Sequence, residues 1–188
     1  MRLYLSTVRR WWAVALSLLL LVALCETMGS SEIAVPSLTA GVSGGAPVAY
    51  FAPWLMVVAT MYCLDRGLWE AERTAVIALA WIDRGVVIAG VVLAHLLGPV
   101  VGWDVARNVM LLLGIALAFR YLANEAAAAA VPLMFLIFNI VAGRAYQGGG
   151  AAMHAWWALP LYPPGSIAAW LVSALVFALA LRLLPRRI

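Results

Sequence analysis

Apolar residues run along this chain in long blocks, and polar residues gather in the gaps between them. Blocks without period-two alternation select helix over strand. A block of roughly 17–25 residues is long enough to cross a hydrocarbon core about 30 Å thick. Lipid offers a backbone no hydrogen-bond partner, so such a block crosses as a helix or as part of a closed barrel, and the missing alternation removes the barrel. The pattern predicts an all-α, polytopic integral membrane protein. Its six transmembrane helices fall at about 11–28, 47–64, 85–102, 105–122, 126–143 and 166–184. Gly98-Pro99 and Gly102 would break a continuous rod, so the third and fourth spans are expected as a hairpin turning near Gly102-Trp103-Asp104.

Three gaps carry their own pattern. Gly29 to Ala46, rich in Gly and Ser with Pro36, predicts a loop. Between the second and third spans, Leu64, Leu68, Ala71 and Ala75 recur at helical spacing while Arg66, Glu70, Glu72 and Arg73 take the other faces. This predicts a short amphipathic helix at about 65–76, with Arg66 and Glu70 as a weak i,i+4 pair. The segment at about 144–165 holds Gly148-Gly149-Gly150, His154-Ala155-Trp156-Trp157 and Pro163-Pro164-Gly165. It is too broken to span, and its aromatics should hold it at the interface or make it partly re-entrant.

Composition agrees: 66% of the 188 residues are hydrophobic, 11% are charged, and the mean hydropathy is +1.03. The net charge of +4 comes from scattered arginines, not from a basic patch interleaved with aromatics, which excludes nucleic acid as a partner. All twelve basic residues are Arg. Without lysine there is neither a GxxxxGK[ST] phosphate loop nor a Schiff-base amine, so any ATP must be hydrolysed by a partner.

Arginine placement predicts orientation. With the N-terminus inside, ten arginines (2, 9, 10, 66, 73, 84, 120, 182, 186 and 187) lie on the cytoplasmic side and only Arg107 and Arg144 outside. That bias places both termini in the cytoplasm of a multi-pass plasma-membrane protein. Trp11, Trp12, Trp54, Trp81, Trp103, Trp156, Trp157 and Trp170 mostly fall near span ends, as interfacial belts do. No internal repeat or soluble domain is visible.

Candidate chemistry is sparse. His95 lies near the middle of the third span, where an ionisable group is functional by default; with no carboxylate at any span centre, a neutral imidazole hydrogen-bonded between helices is the competing reading. Asn139 reads as interhelical glue. Glu26, Arg107 and Arg144 approach the outer boundary, and Glu26 with Arg107 could pair to line a cavity. No metal or cofactor site is expected: the two histidines, His95 and His154, do not form an HExxH pair. Cys25 and Cys63 sit near opposite faces and should not bond each other. Leu24 before Cys25 does not suit a lipoprotein signal, so the first helix reads as uncleaved. A thiol enzyme using Cys25 with His154 and an outer arginine is one alternative, although a cysteine in an apolar span is usually a small hydrophobe.

The order of these features resembles the membrane (permease) subunit of a type-2 ATP-binding-cassette exporter. The resemblance is carried by six spans, an amphipathic helix with Glu72-Arg73-Thr74 after the second, and a broken aromatic segment before the last. More narrowly, Ala106-Arg107-Asn108, Gly143-Arg144, His154-Ala155-Trp156 and Leu159-Pro160 look like small ABC-associated membrane proteins of actinobacteria. It implies that Arg66, Glu70, Glu72, Arg73 and Thr74 contact a cytoplasmic nucleotide-binding subunit, and that a second membrane subunit, identical or homologous, completes the permease. Glu26, His95, Arg107, Asn139, Arg144, His154, Trp156 and Trp157 are then the pathway or outer-face candidates, for an amphipathic molecule or peptide. This chain is shorter than most such exporters and lacks their N-terminal interfacial helix, which points to one half of a heteromeric permease. The alternative from another class is a non-transporting membrane interaction, immunity or assembly protein.

Overall fold

The computed structural model describes residues 10–36, 43–65, 79–146 and 152–183. Seven α-helices account for most of them: α1 (Trp12–Met28), α2 (Ala52–Leu64), α3 (Leu79–Leu96), α4 (Gly98–Val101), α5 (Trp103–Leu122), α6 (Glu125–Ala142) and α7 (Ile167–Leu183). The 65–76 helix expected from the pattern lies outside the described residues.

Each boundary has a local cause. Pro47 and Pro53 delay the second helix: a 3-10 turn at Val48–Tyr50 comes first, and α2 starts at Ala52 instead of near 47. Gly98-Pro99 ends α3 as the sequence requires, and Gly102, at φ 101°, turns the chain between α4 and α5 in a conformation that only glycine adopts without strain. Asn124 caps α6, its side chain accepting from the Ala127 amide at 2.8 Å. Pro132 inside α6 removes one helical hydrogen bond, and close by the Trp54 indole donates to the Ala129 carbonyl at 3.2 Å, joining α2 to α6.

The expectation of an all-α chain holds for the bulk of the fold but not for the connections. The loop expected at Gly29 to Ala46 contains an antiparallel hairpin, β1 (Glu32–Pro36) with β2 (Ser43–Pro47), pairing Glu32 with Pro47 and Ala34 with Gly45. The broken segment before α7 contains a second hairpin, β3 (Arg144–Tyr146) with β4 (Ala152–His154), followed by a 3-10 turn at Leu159–Leu161. Strands this short are set by pairing, which no single run of residues reveals. The helix lengths do not by themselves support six spans. Among the described residues, only α5 and α6 are long and apolar enough, by length and composition, to cross a membrane. Helices α1 and α7 are apolar and 17 residues long, and α2 has 13. Helix α3 begins at Leu79, so Asp83 and Arg84, expected at the edge of a loop, lie within a helix.

The helices run up and down around α5, which packs against α2, α3, α6 and α7. At one end, Arg10 at the start of α1 donates to the Tyr62 hydroxyl at 2.8 Å, and the Cys63 thiol donates to the Arg10 carbonyl at 3.3 Å. Arg120 of α5 donates to the Leu64 carbonyl at 2.6 Å and pairs with Asp65 at 3.3 Å. Both hairpins lie at the other end. Cys63 and Cys25 are free thiols at opposite ends, since the helical rise from residue 10 to 25 is about 22 Å. The core is the axis itself: every residue from Val105 to Gly114 is buried. Gly114 lets α7 approach, because a Cβ there would lie 3.0 Å from the Cα and N of Phe177.

Two outcomes follow from this packing. Gly114→Leu should lower the thermal midpoint of the purified protein by an overpacking cost of about 1–3 kcal/mol, with Gly114→Ala intermediate. Burial raises the Asp65 carboxyl from 3.8 to about 6, overcoming the opposing influence of Arg120, and Glu125 adds to the rise. A raised folded value means the folded state holds the proton more tightly, so this contribution to stability is complete below 3.8 and is lost as pH climbs to about 6. Asp65→Asn should match wild type at the acid end of that window and unfold at a higher temperature than wild type above it, as thermal denaturation at a series of pH values would register.

Candidate functional site at the hairpin end

The polar residues of the bundle meet where α5 begins. Arg107 and Asn108 follow Ala106 in the second turn of α5, and both are fully buried. The segment between β4 and α7 carries Pro160, Pro163 and Pro164, which lack backbone donors, and the chain bends so that several carbonyls point inward. Arg107 meets them. Its Nη1 donates to the Pro163 carbonyl at 3.1 Å, and Nη2 faces the carbonyls of Tyr162 (2.9 Å), Leu159 (3.3 Å) and Pro160 (3.4 Å) and Oδ1 of Asn108 (3.3 Å). Asn108 Nδ2 donates to Pro160 at 2.9 Å. A guanidinium suits this task because its planar fork presents five donors to acceptors spread over an arc. No carboxylate pairs with it among the described residues. Carbonyl dipoles carry the solvation of the cation, with Asp104 one turn earlier in electrostatic range of Arg107, Tyr50 and Cys25.

Arg144 occupies the rim of the same end. It opens β3 immediately after α6, donates from Nη1 to the Gly45 carbonyl of β2, and lies over the Tyr50 ring at 6.0 Å. His154 of β4 is paired in register with Arg144 and packs its ring on Tyr162 at 4.1 Å. The Tyr162 hydroxyl donates to the Trp156 carbonyl at 2.8 Å, Trp156 is 84% exposed, and Trp157 stacks on Phe138 of α6 at 5.3 Å.

Several expectations change. Arg107 is not a cheaply exposed charge at a boundary, and among the described residues no ion pair joins it to Glu26, which is exposed in the last turn of α1. The helix register turns Arg107 inward, and the carbonyls of a distant segment supply its solvation. Asn139 is not interhelical glue through its amide: Nδ2 donates to the Phe135 carbonyl of its own helix at 2.7 Å. His95 lies in the last turn of α3 and not mid-span, because α3 stops at Leu96. Its Nδ1 donates to the Val91 carbonyl of the same helix at 2.7 Å, and its contact with another helix is the Trp170 ring at 5.3 Å. No hydrogen bond joins Cys25 to His154. Arg66, Glu70, Glu72, Arg73 and Thr74 lie outside the described residues.

Sequence reading passed over Asn108, Tyr50, Gly45 and Tyr162 as partners. A polar pair opening an apolar helix, and a proline-rich segment short of its own donors, were the available signals. Their pairing across more than fifty residues was not. Among the described residues no three His, Cys, Asp or Glu side chains are grouped to hold a metal. No family model matches this chain, and no curated protein or solved structure matches it either.

Leaving a buried carbonyl without its donor costs about 1–3 kcal/mol. Arg107→Met should destabilise the protein by that order, and Arg107→Lys should recover only part of the loss, because an ammonium cannot span the same arc of carbonyls. Asn108→Ala should cost about 1–3 kcal/mol. Equilibrium unfolding of the three variants checks the ranking.

Proposed function

We propose that the chain is a helical integral membrane protein, with the hairpin end outside the cytoplasm, acting as the membrane subunit of an ATP-driven exporter. The observation that carries the membrane reading is a double girdle of exposed aromatics with apolar side chains between. Trp12, Tyr62, Trp81 and Tyr121 are exposed at the Arg120 end, and Trp103 and Trp156 at the hairpin end. Between them Leu19, Val92, Met134 and Leu171 face outward on α1, α3, α6 and α7. Along α5 the helical rise from Trp103 to Tyr121 is about 27 Å, close to the roughly 30 Å of a hydrocarbon core. Tryptophan and tyrosine favour both edges of that core.

The arginine distribution supports the orientation. Arg10, Arg84, Arg120 and Arg182 lie toward one end, while the hairpin end has Arg107, which is buried, and Arg144. Among the described residues the axis at α5 is filled, and in this reading transport runs along a face completed by a second membrane subunit. Cytoplasmic ATPase subunits would act through the segment at about 65–76, whose amphipathic pattern supports a docking role. Closure of the ATPases would then rock the bundle and change access to the shared face.

The same filled axis favours a second reading, a non-transporting membrane interaction or assembly protein. Purification together with the products of neighbouring genes separates the two. The exporter reading expects a nucleotide-binding subunit to co-purify, and Glu72→Lys with Arg73→Glu to weaken its retention and abolish transport. Purification without any ATPase, or double-variant transport equal to wild type, would sink it.

A further inference from the structure

Two side chains with no exposed surface, Arg107 of α5 and Asn139 of α6, each keep one polar atom that their visible hydrogen bonds do not use. Arg107 commits Nη1 and Nη2 to the carbonyls of the 159–163 segment, and its Nε is buried with no acceptor among the described residues. Asn139 gives Nδ2 to the Phe135 carbonyl, and its Oδ1 is buried with no donor. That amide orientation is fixed, because a carbonyl can only accept and so selects the nitrogen over the oxygen. A folded protein rarely leaves such atoms unsatisfied.

The two atoms belong to one region. The helical rise from Arg107 to Leu122 is about 22 Å and from Glu125 to Asn139 about 21 Å, so the residues stand at the same level of this antiparallel pair. The same turn borders both. Arg107 binds the carbonyls of Leu159 and Pro160, while Gly143, one helical turn beyond Asn139, lies so near Ala158 that a Cβ on it would meet the Ala158 Cβ at 2.6 Å. No direct hydrogen bond joins Nε to Oδ1, since each would then have a partner.

We propose that α5 and α6 enclose a binding site for a single structural water, which accepts from Arg107 Nε and donates to Asn139 Oδ1. The chemistry of the pair selects the occupant. An anion would face the lone pairs of Oδ1, and a metal ion would face the guanidinium charge; the site calls for a neutral molecule that both accepts and donates. Water is the smallest such molecule, and two polar partners are the minimum that holds one in an interior. The water makes Arg107 the joint of three elements, α5, the 159–163 segment and α6. Asn139 thereby links two helices through its oxygen while its nitrogen stays on its own helix. The site stands on the packing of one chain and is independent of the exporter reading.

A structure of the full-length protein in detergent, at a resolution that shows ordered solvent, tests it. A density peak is expected within hydrogen-bond distance of both Arg107 Nε and Asn139 Oδ1, and it should vanish in Asn139→Leu. Ordered side chains with no peak between them, or Oδ1 turned directly onto Nε, would overturn the site. A double-mutant cycle on the unfolding equilibrium gives a second readout, with Arg107→Lys, Asn139→Leu and the pair together. The two substitutions should be coupled by roughly tenfold, because the second finds the shared water already lost. Independent effects, with no coupling between them, would remove the bridge.

Discussion

A cation sealed inside an apolar bundle dictates how this molecule must be built. Arg107 has no ion-pair partner among the described residues, so its charge is tolerated only because carbonyls from the 159–163 segment turn toward it. The requirement acts in both directions. Those carbonyls sit in a proline-rich stretch with few donors of its own: the Tyr162 and Ser166 amides reach the Leu159 and Pro163 carbonyls, and Arg107 with Asn108 supplies the remaining donors. Neither partner is stable in the interior alone. The start of α5, the turn at Leu159–Leu161 and the entry to α7 therefore form one unit, and α7 is placed close enough to α5 for Gly114 to be needed.

This fixed point makes the two ends of the bundle unlike. The hairpin end holds both small sheets, the buried guanidinium and the stacked aromatics of the α6–α7 connection. At the opposite end the described contacts are single side chains meeting helix ends, such as Arg120 at Leu64 and Asp65. The axis of α5 is filled along its first half, every residue from Val105 to Gly114 being buried.

The positions of the main helices were legible because a helix-forming apolar block is a local property. The break at Gly98-Pro99 and the late start of α2 are equally local, since proline and glycine act on their own backbone. Legibility stopped at the polar residues. Asn139 and His95 each bond a carbonyl of their own helix, which spacing permits but does not require. Arg107 was visible as a polar residue at the edge of a span, yet whether it faced out or in depended on helix rotation and on a loop 52 residues or more away.

By itself, then, the sequence determined that this chain is mostly helical, rich in apolar surface, poor in reactive groups and biased in where its arginines fall. Those are properties of composition and short-range periodicity, and each residue carries its share independently. Only the tertiary structure decided that the connections form hairpins, that α5 is the axis, and that Arg107 is sealed while Arg144 bridges. The physical reason is that carbonyl solvation of a buried charge and pairing of short strands are agreements between distant segments. Their free energy exists only once both partners are brought together.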